Sequence, residues 1–160
     1  MVHNITPLLF VLVAFSMLSE CCGQEVRTVR SNELVKRDGL QYEVNSKTPF
    51  TGKLIHYYPS GEKRSELDFK EGRIGKLTGW YVTGGKRSEK EWTNGKGYCR
   101  HVEWYKSGEV QLVEFRKFGK LHGRTTRYRR TGNIFMEGDF DNGKAVKGSW
   151  EYWPGKGRLQ

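Results

Sequence analysis

The feature that most constrains this 160-residue chain is a segment that occurs more than once. Residues Gly52–Glu66 align without a gap with Gly75–Glu89, at a shift of 23 residues. The same template recurs at Glu103–Gly108, at Arg127–Gly132 and, as a half copy, at Glu151–Pro154. A fixed period in this range is typical of stacked arrays of small structural units, not of a catalytic domain. The sequence therefore predicts about four and a half units of 23–24 residues within a domain at 39–160.

Each unit has the pattern of a β-hairpin. Its first half contains adjacent aromatic residues and a glycine-containing turn, and its second half alternates apolar with polar residues up to another glycine, namely Gly72, Gly95, Gly119 or Gly143. Alternation at period two indicates strands, and glycine supplies the positive φ that tight turns need. One such hairpin cannot bury its aromatic face alone, whereas neighbouring copies can. We therefore expect an all-β fold, an elongated antiparallel meander of tandem hairpins that forms an open sheet.

Two columns of residues recur along the first strands of the units. One holds pairs that are two positions apart and so share a face, which we expect to be the buried one: Ile55 and Tyr57, Thr78 and Trp80, Val102 and Trp104, Thr126 and Tyr128, Trp150 and Tyr152. The adjacent column should point to the opposite face. It is the candidate partner-contact face and consists of Tyr58, Tyr81, Tyr105, Arg129 and Trp153.

A segment before the first unit and a change within the third unit lead to further expectations. Leu40–Val44 alternates in the manner of a strand, and we expect it to be an edge strand that caps the first unit. The third unit has Cys99 in place of the first glycine and one extra residue within Glu114–Gly119, which predicts a bulged hairpin.

The N-terminus predicts export. Leu8–Leu18 is an apolar run of 11 residues, which is too short to span a bilayer but fits the core of a secretory signal, and Cys21 and Gly23 are small residues suited to cleavage before Gln24. We expect a signal peptide at 1–23 and a linker at 24–38, where no apolar period is present. The first alternative is a lipoprotein anchored at Cys21, although Glu20 fits a lipidation motif poorly. The second is a buried N-terminal helix with no role in targeting.

Cysteine content and charge narrow the chemistry. Cleavage after residue 23 leaves Cys99 alone, so no disulfide can form within the chain. It also removes one Glu and no Lys or Arg, which raises the formal net charge from +10 to +11. Such a surface attracts an acidic protein, anionic lipid headgroups, an acidic polymer or nucleic acid, without choosing among them.

No pattern of catalytic residues is present in the sequence. His56, His101 and His122 are not in metal-ligand spacing with each other or with the cysteine. Two sets of carboxylates recur at the 23-residue spacing: Glu66 and Glu89 form one set, and Glu91, Glu114 and Glu137 the other. Because a side chain that recurs in each unit is usually structural, we expect these carboxylates to pair with Lys or Arg across strands. We predict no enzymatic activity, no metal site and no cofactor.

The combination of an aromatic pair, a glycine turn, a polar–apolar strand and a second glycine resembles the MORN family, in the repeat variant of bacterial exported proteins. The resemblance covers residues 39–157, and Pro49–Gly52 is similar to the usual start of that family's first unit. It implies an open sheet of hairpins and a role in scaffolding, protein contact or attachment to membrane surfaces. Some relatives are described as antitoxins, which implies a protein-binding role.

These observations lead to two functional hypotheses. The first is an exported interaction or scaffolding module, periplasmic, secreted or held at the outer envelope, with a lipid anchor as the alternative to free release. The second is a binder of anionic lipid or acidic polysaccharide, in which Arg and Lys attract the ligand and Tyr58, Tyr81 and Tyr105 contact it. Export argues against nucleic acid as the partner. The bland interpretation is that the aromatic residues only fill and cover the sheet.

Overall fold

A computed structural model describes residues 26–93 and 97–155. The expected signal peptide at 1–23 and the expected turn glycine Gly95 lie outside the described residues. Within this part of the chain no helix is both long enough and apolar enough to cross a membrane.

The described residues form an all-β structure with one short 3₁₀ helix at Ser31–Glu33. The strands are β1 (Thr28–Val29), β2 (Leu34–Arg37), β3 (Leu40–Glu43), β4 (Gly52–Tyr57), β5 (Lys63–Lys70), β6 (Arg73–Trp80), β7 (Lys86–Thr93), β8 (Tyr98–Trp104), β9 (Val110–Lys117), β10 (Lys120–Leu121), β11 (Gly123–Tyr128), β12 (Ile134–Asp141), β13 (Lys144–Ala145) and β14 (Glu151–Tyr152).

Twelve of these strands make one sheet in the order β1-β4-β5-β6-β7-β8-β9-β11-β12-β13, with β10 beside β9 and β14 beside β12. All neighbours are antiparallel except β1 and β4, which run parallel. The sheet does not close into a barrel, so the predicted open hairpin meander is confirmed.

Two kinds of turn line the two long edges of the sheet. At one edge, two-residue turns place both residues at positive φ, as in Glu71–Gly72 (50° and 74°) and Phe118–Gly119 (48° and 81°). This geometry matches the right-handed twist of the strands that it joins. At the other edge, a five-residue turn recurs four times: the amide of its first residue donates to the fifth residue's carbonyl, and the fourth residue is a glycine, at Tyr58–Glu62, Tyr81–Gly85, Tyr105–Glu109 and Arg129–Asn133.

Cross-strand pairing defines the two faces of the sheet. Face 1 carries the row Leu54, Leu67, Leu77, Lys90, His101, Glu114, Thr125 and Gly138. Face 2 carries the row Ile55, Glu66, Thr78, Glu89, Val102, Val113, Thr126 and Glu137. Paired residues share a face because side chains alternate along each strand.

The apolar core lies at the N-terminal end of face 1. Val29, Phe50, Leu54 and Phe69 are buried there, with Leu34 and Leu67 against them. The stretch expected to be a linker, 24–38, therefore has a structural role: it contributes β1, the 3₁₀ helix and β2, and Val29 is 5% exposed. Burying Val29 against an aromatic core orders a segment that has no periodicity of its own.

The expected cap at Leu40–Val44 takes a different form. β3 pairs with β2 in a separate two-stranded sheet and adds no strand to the main sheet. It contacts the first hairpin through its turn, since the Gln41 amide donates to the Gly72 carbonyl at 2.9 Å. A Cβ at Gly72 would lie 2.9 Å from the Gln41 carbonyl oxygen, so a glycine is needed at this contact.

The extra residue of the third unit adds no bulge within Glu114–Lys117. β8 pairs regularly with β9 from Tyr98 to Glu103, and the register shift of this hairpin, between Glu103 and Trp104, occurs at the same place in the other three hairpins. A bulge special to the third hairpin is therefore not found. The residue is absorbed at the next connection, where pairing with β9 is interrupted between β10 and β11 and the His122 amide donates to the Phe115 carbonyl. Gly123 allows this path, because its backbone adopts a φ of +90°, a conformation that glycine accepts readily.

The final half unit is one residue out of register. Met136 pairs with Tyr152, whereas the earlier units would place Glu151 at this position. The shift moves Trp150 and Tyr152 to face 1, away from the column to which the sequence assigns them. There Trp150 covers Gly138, where any Cβ would collide with its indole ring.

Candidate functional site

A ladder of side-chain hydrogen bonds connects successive units at the edge of five-residue turns. The Tyr58 hydroxyl donates to the Trp80 carbonyl at 2.7 Å, Tyr81 to Trp104 at 2.7 Å and Tyr105 to Tyr128 at 2.8 Å. In the fourth unit the Arg129 guanidinium donates to the Trp153 carbonyl at 3.0 Å. All five predicted contact residues therefore belong to one line, and each donor satisfies a backbone acceptor of the next unit.

Cationic groups cover the tyrosine rings of this ladder. The Arg64 guanidinium lies 6.0 Å from the Tyr58 ring centroid, Lys106 lies 5.9 Å from that of Tyr81, and Arg130 lies 5.4 Å from that of Tyr105. These three cations are exposed, whereas the tyrosines are half-buried. A partner at this edge therefore meets positive charge first and the aromatic rings beneath it.

The column that we expected to be buried divides into two parts. Three of its inner members are buried, with Val102 2%, Thr78 6% and Thr126 7% exposed, whereas Ile55 is half-buried. Its outer aromatic members are not buried: Tyr57 is 58% exposed, and Trp80 and Trp104 are half-buried under the ammonium groups of Lys63 and Lys86. The prediction holds for the sheet centre and is wrong at the turn edge, where no second layer covers the rings.

An open depression adjoins the ladder between the second and third units. It has a volume of about 440 Å³, and its lining includes Tyr81, Arg87, Lys90, His101, Glu103 and Trp104. Arg87 is exposed and Lys90 half-buried on face 1, at the end of the apolar row that begins with Leu54. The depression combines cations with aromatic edges, which suits an anionic group carried on a larger partner.

Carboxylates at unit spacing hold face 2 together. Glu66 accepts from Lys53 at 2.5 Å and from Lys63 at 2.6 Å. Glu89 makes the same two contacts in the next unit, with Lys76 at 3.1 Å and Lys86 at 2.9 Å. Burial raises the pKa of both carboxyls, but their lysine partners outweigh it, so each pKa lies below its ordinary value.

Face 1 has its own buried carboxylate in the third unit. Glu114 accepts from His101 Nδ1 at 3.0 Å and from Arg116 Nε at 2.8 Å. The hydrogen bond from His101, opposed by burial and reinforced by Arg116, lowers the pKa of Glu114. Together with the Arg124–Glu137 pair at 3.5 Å, the lysine contacts confirm the expected cross-strand pairing for Glu66, Glu89 and Glu137. For Glu114 the expectation is wrong, because its cross-strand partner is His101 and Arg116 lies on the same strand. The expectation for Glu91 is wrong, since no ion pair to it occurs among the described residues.

The other two histidines each contact one polar side chain, and the cysteine is buried. His56 contacts Ser65 at 3.1 Å and His122 contacts Asp141 at 3.2 Å. Within 26–93 and 97–155 no three His, Cys, Asp or Glu side chains are placed to share a metal ion. Burial raises the pKa of the Cys99 thiol, which favours the unreactive protonated form.

Arg100 is not among the residues predicted from the sequence, and its surroundings differ from those of its counterparts. Lys53, Lys76 and Arg124 occupy the same position in their units, and each forms an ion pair with a carboxylate of its own unit. An alignment of the units reveals the exception. Two positions of the second strand are acidic in three units: Glu66 and Asp68 in the first, Glu89 and Glu91 in the second, and Glu137 and Asp139 in the fourth. In the third unit the same positions are Val113 and Phe115.

The fold and site define an open, all-β sheet of linked hairpins with charged, accessible faces. Comparisons with protein-family models, curated proteins and solved structures find no match to this chain.

Proposed function

We propose that this chain is an exported, non-enzymatic repeat protein of the MORN type that serves as a protein-interaction or scaffolding module at the cell envelope. The observation that supports it best is the cation-covered tyrosine ladder beside the depression at Tyr81, Arg87 and Lys90. Here the hydrogen-bond ladder holds the backbone in place, so the exposed cations are presented on a rigid edge. We infer that an acidic partner docks there.

The open shape favours binding over catalysis. Enzymes generally need a concave pocket in which polar groups converge and from which water is excluded. The depression beside Tyr81 lies on the face of the sheet and is open to solvent. We therefore propose that the ladder residues Tyr58, Tyr81, Tyr105, Arg129 and Trp153 position a contact surface and take part in no chemical step.

A second candidate function is binding of anionic lipid or acidic polysaccharide. It is favoured by the spacing of the exposed cations Arg64, Lys106 and Arg130, which follow one edge of the sheet at unit intervals. A polymer or a membrane surface could contact several of them at once. Such binding would depend steeply on ionic strength, because it would rest on many exposed charges.

Affinity capture from native membranes, followed by mass spectrometry, tests the proposal. The bait is the exported chain, and the matched control bait carries Arg87→Gln and Lys90→Gln. We expect a discrete protein that binds the natural chain, is lost with the control bait and remains at physiological salt. Recovery of anionic lipid or polymer that dissociates over the same salt range favours the second candidate. Equal recovery on both baits would contradict a role for this surface.

A further inference from the structure

The third unit lacks the internal counter-ion that its neighbours have. In the other units the basic residue lies directly opposite a carboxylate on the next strand: Lys53 opposite Asp68, Lys76 opposite Glu91 and Arg124 opposite Asp139. Arg100 lies opposite Phe115 at the equivalent place, and the other acidic position is Val113. The pattern of the sheet leaves a position beside Arg100 where three other units place an acidic side chain.

The Arg100 side chain forms no hydrogen bond or ion pair within residues 26–93 and 97–155, and the residue is exposed. On its other side it pairs with Glu91 of β7, which is also opposite Lys76 and is not in ion-pair contact with either. The positive charge at this place is therefore available to a group from outside the chain.

Exposed aromatic residues lie on β8, on β9 and in the turn that follows β9, in the same unit as this cation. Tyr98 is 40% exposed, Phe115 is 39% exposed and Phe118 is 74% exposed. An open depression of about 420 Å³ is lined by Tyr98, Arg100 and Phe115, together with Glu91 and Trp92. Large apolar side chains clustered around a charge on a protein surface are characteristic of binding sites.

Phe118 is the least expected of these residues. It occupies the first position of a two-residue turn at a φ of 48°, where the other turns have Asp38, Glu71 and Asn142. Left-handed backbone is unfavourable for a bulky side chain, and Phe118 gains little burial in return: its ring lies beside Gly97 and the residue is 74% exposed. A residue that the fold itself does not favour is better explained by a contact outside the fold.

We propose that Tyr98, Arg100, Phe115 and Phe118, here called the third-unit patch, form a docking site for a segment of a partner protein that presents a carboxylate next to an apolar side chain. The carboxylate occupies the position that Asp68, Glu91 and Asp139 hold in the other units and pairs with Arg100. The apolar side chain packs on Phe115 and Phe118. This inference rests on the proposed function as an interaction module, and it adds a second surface separate from the tyrosine ladder.

A random peptide library displayed on phage tests the chemistry directly, with the exported chain immobilised. We expect enrichment of peptides in which Asp or Glu is next to an aromatic or aliphatic residue. Their dissociation constants should rise at least tenfold with Arg100→Gln. They should be unchanged with Lys144→Gln, which alters an exposed residue of β13 at the far end of the sheet.

Phe115→Asp is the second variant and separates lost binding from lost folding. It supplies the missing carboxylate within the chain, opposite Arg100, so the variant should melt at or above the temperature of the natural chain while peptide binding falls at least tenfold. A simple packing role for Phe115 predicts the reverse, a lower melting temperature with binding retained.

Five outcomes would overturn the inference. Peptides without acidic–apolar pairs, or acidic–apolar peptides whose binding survives both Arg100→Gln and Phe115→Asp, would exclude the proposed chemistry. Peptides lost only with Arg87→Gln and Lys90→Gln would support the proposed function while rejecting this patch. If Arg100→Gln abolishes self-association of the chain, the site binds a second copy. If Arg100→Gln abolishes binding to phosphatidylglycerol vesicles but not to peptides, the site binds a lipid.

Discussion

The Tyr81 hydroxyl donates a 2.7 Å hydrogen bond to the carbonyl oxygen of Trp104, 23 residues further along the chain. The same contact joins Tyr58 to Trp80 and Tyr105 to Tyr128. The phenol ring therefore covers the turn edge while its polar tip satisfies a backbone acceptor of the next unit, which couples neighbouring hairpins beyond their strand pairing.

Removing this hydroxyl should weaken the coupling. Tyr81→Phe keeps the ring and its contact with Lys106 but leaves the Trp104 carbonyl without its donor, so we expect a loss of about 1 kcal/mol in the free energy of unfolding. Urea denaturation followed by tryptophan fluorescence measures it. The matched control is Tyr57→Phe, whose ring is 58% exposed and which should change stability little. Equal effects of the two variants would show that the ladder does not contribute.

The free energy of unfolding should decrease at acidic pH, because three carboxyl groups have lowered pKa values in the folded state. Glu66, Glu89 and Glu114 each have a folded pKa below the ordinary value near 4.3. A lowered folded pKa means that the unfolded state binds protons more readily, so this stabilisation is complete above the unfolded pKa and is lost below it. Urea midpoints at pH 7, 5 and 3 should be similar at the first two values and lower at the third.

Glu66→Gln should identify the origin of that pH dependence. The amide cannot replace the charge between Lys53 and Lys63, so we expect a loss of roughly 1–2 kcal/mol at pH 7 and a smaller decline between pH 5 and pH 3. Glu91→Gln is the control because Glu91 is exposed and forms no ion pair among the described residues. A decline as steep in Glu66→Gln as in the natural chain would contradict the assignment.

The register shift of the last half unit depends on the space above Gly138. Gly138→Ala places a methyl group where the Trp150 indole lies, so we expect destabilisation of about 1–3 kcal/mol and displacement of Trp150. Gly85→Ala is the matched control, since its added Cβ has no neighbour closer than 4.0 Å. Trp150 fluorescence and thermal melting report both effects; an unchanged emission spectrum and melting curve in Gly138→Ala would show that the ring is not seated there.

The features that were predicted correctly are those encoded locally. Paired glycine turns and period-two alternation specify hairpins wherever they occur, and side chains that recur at each unit, such as Glu66 and Glu89, were recognisable as structural. Features that depend on tertiary contacts were missed. Val29 becomes ordered only because Phe50 and Phe69 lie above it, and the position of Trp150 depends on the bare surface of Gly138.

The candidate site was predicted in the same uneven way. Recurrence alone identified Tyr58, Tyr81 and Tyr105, but it could not show that each hydroxyl is used by the next unit, because the aromatic column was read as a freely exposed face. Arg100 was overlooked for the opposite reason. Recurrence does not identify Arg100, because this residue differs from its counterparts only in its partners: Val113 and Phe115 replace the acidic residues of the other units.

Export is a separate prediction, and it concerns residues outside the described part of the chain. Protein recovered from its own host should begin at Gln24, or should be blocked by lipid at Cys21 or Cys22. N-terminal sequencing and intact mass measure this. A soluble cytoplasmic protein that retains Met1 would contradict both export and the proposed place at the cell envelope.

Hydrogen exchange of the chain with and without its captured partner, followed by mass spectrometry, tests the central claim most directly. An interaction module that works through the sheet should gain protection at the edge around Tyr81 to Lys90 and Glu103 to Gln111, with further protection at 98–118 if the third-unit patch is occupied. Protection confined to residues before Thr28 or after Gly155, with unchanged exchange in the sheet, would mean that the partner binds a terminal segment and that the sheet is not the binding surface.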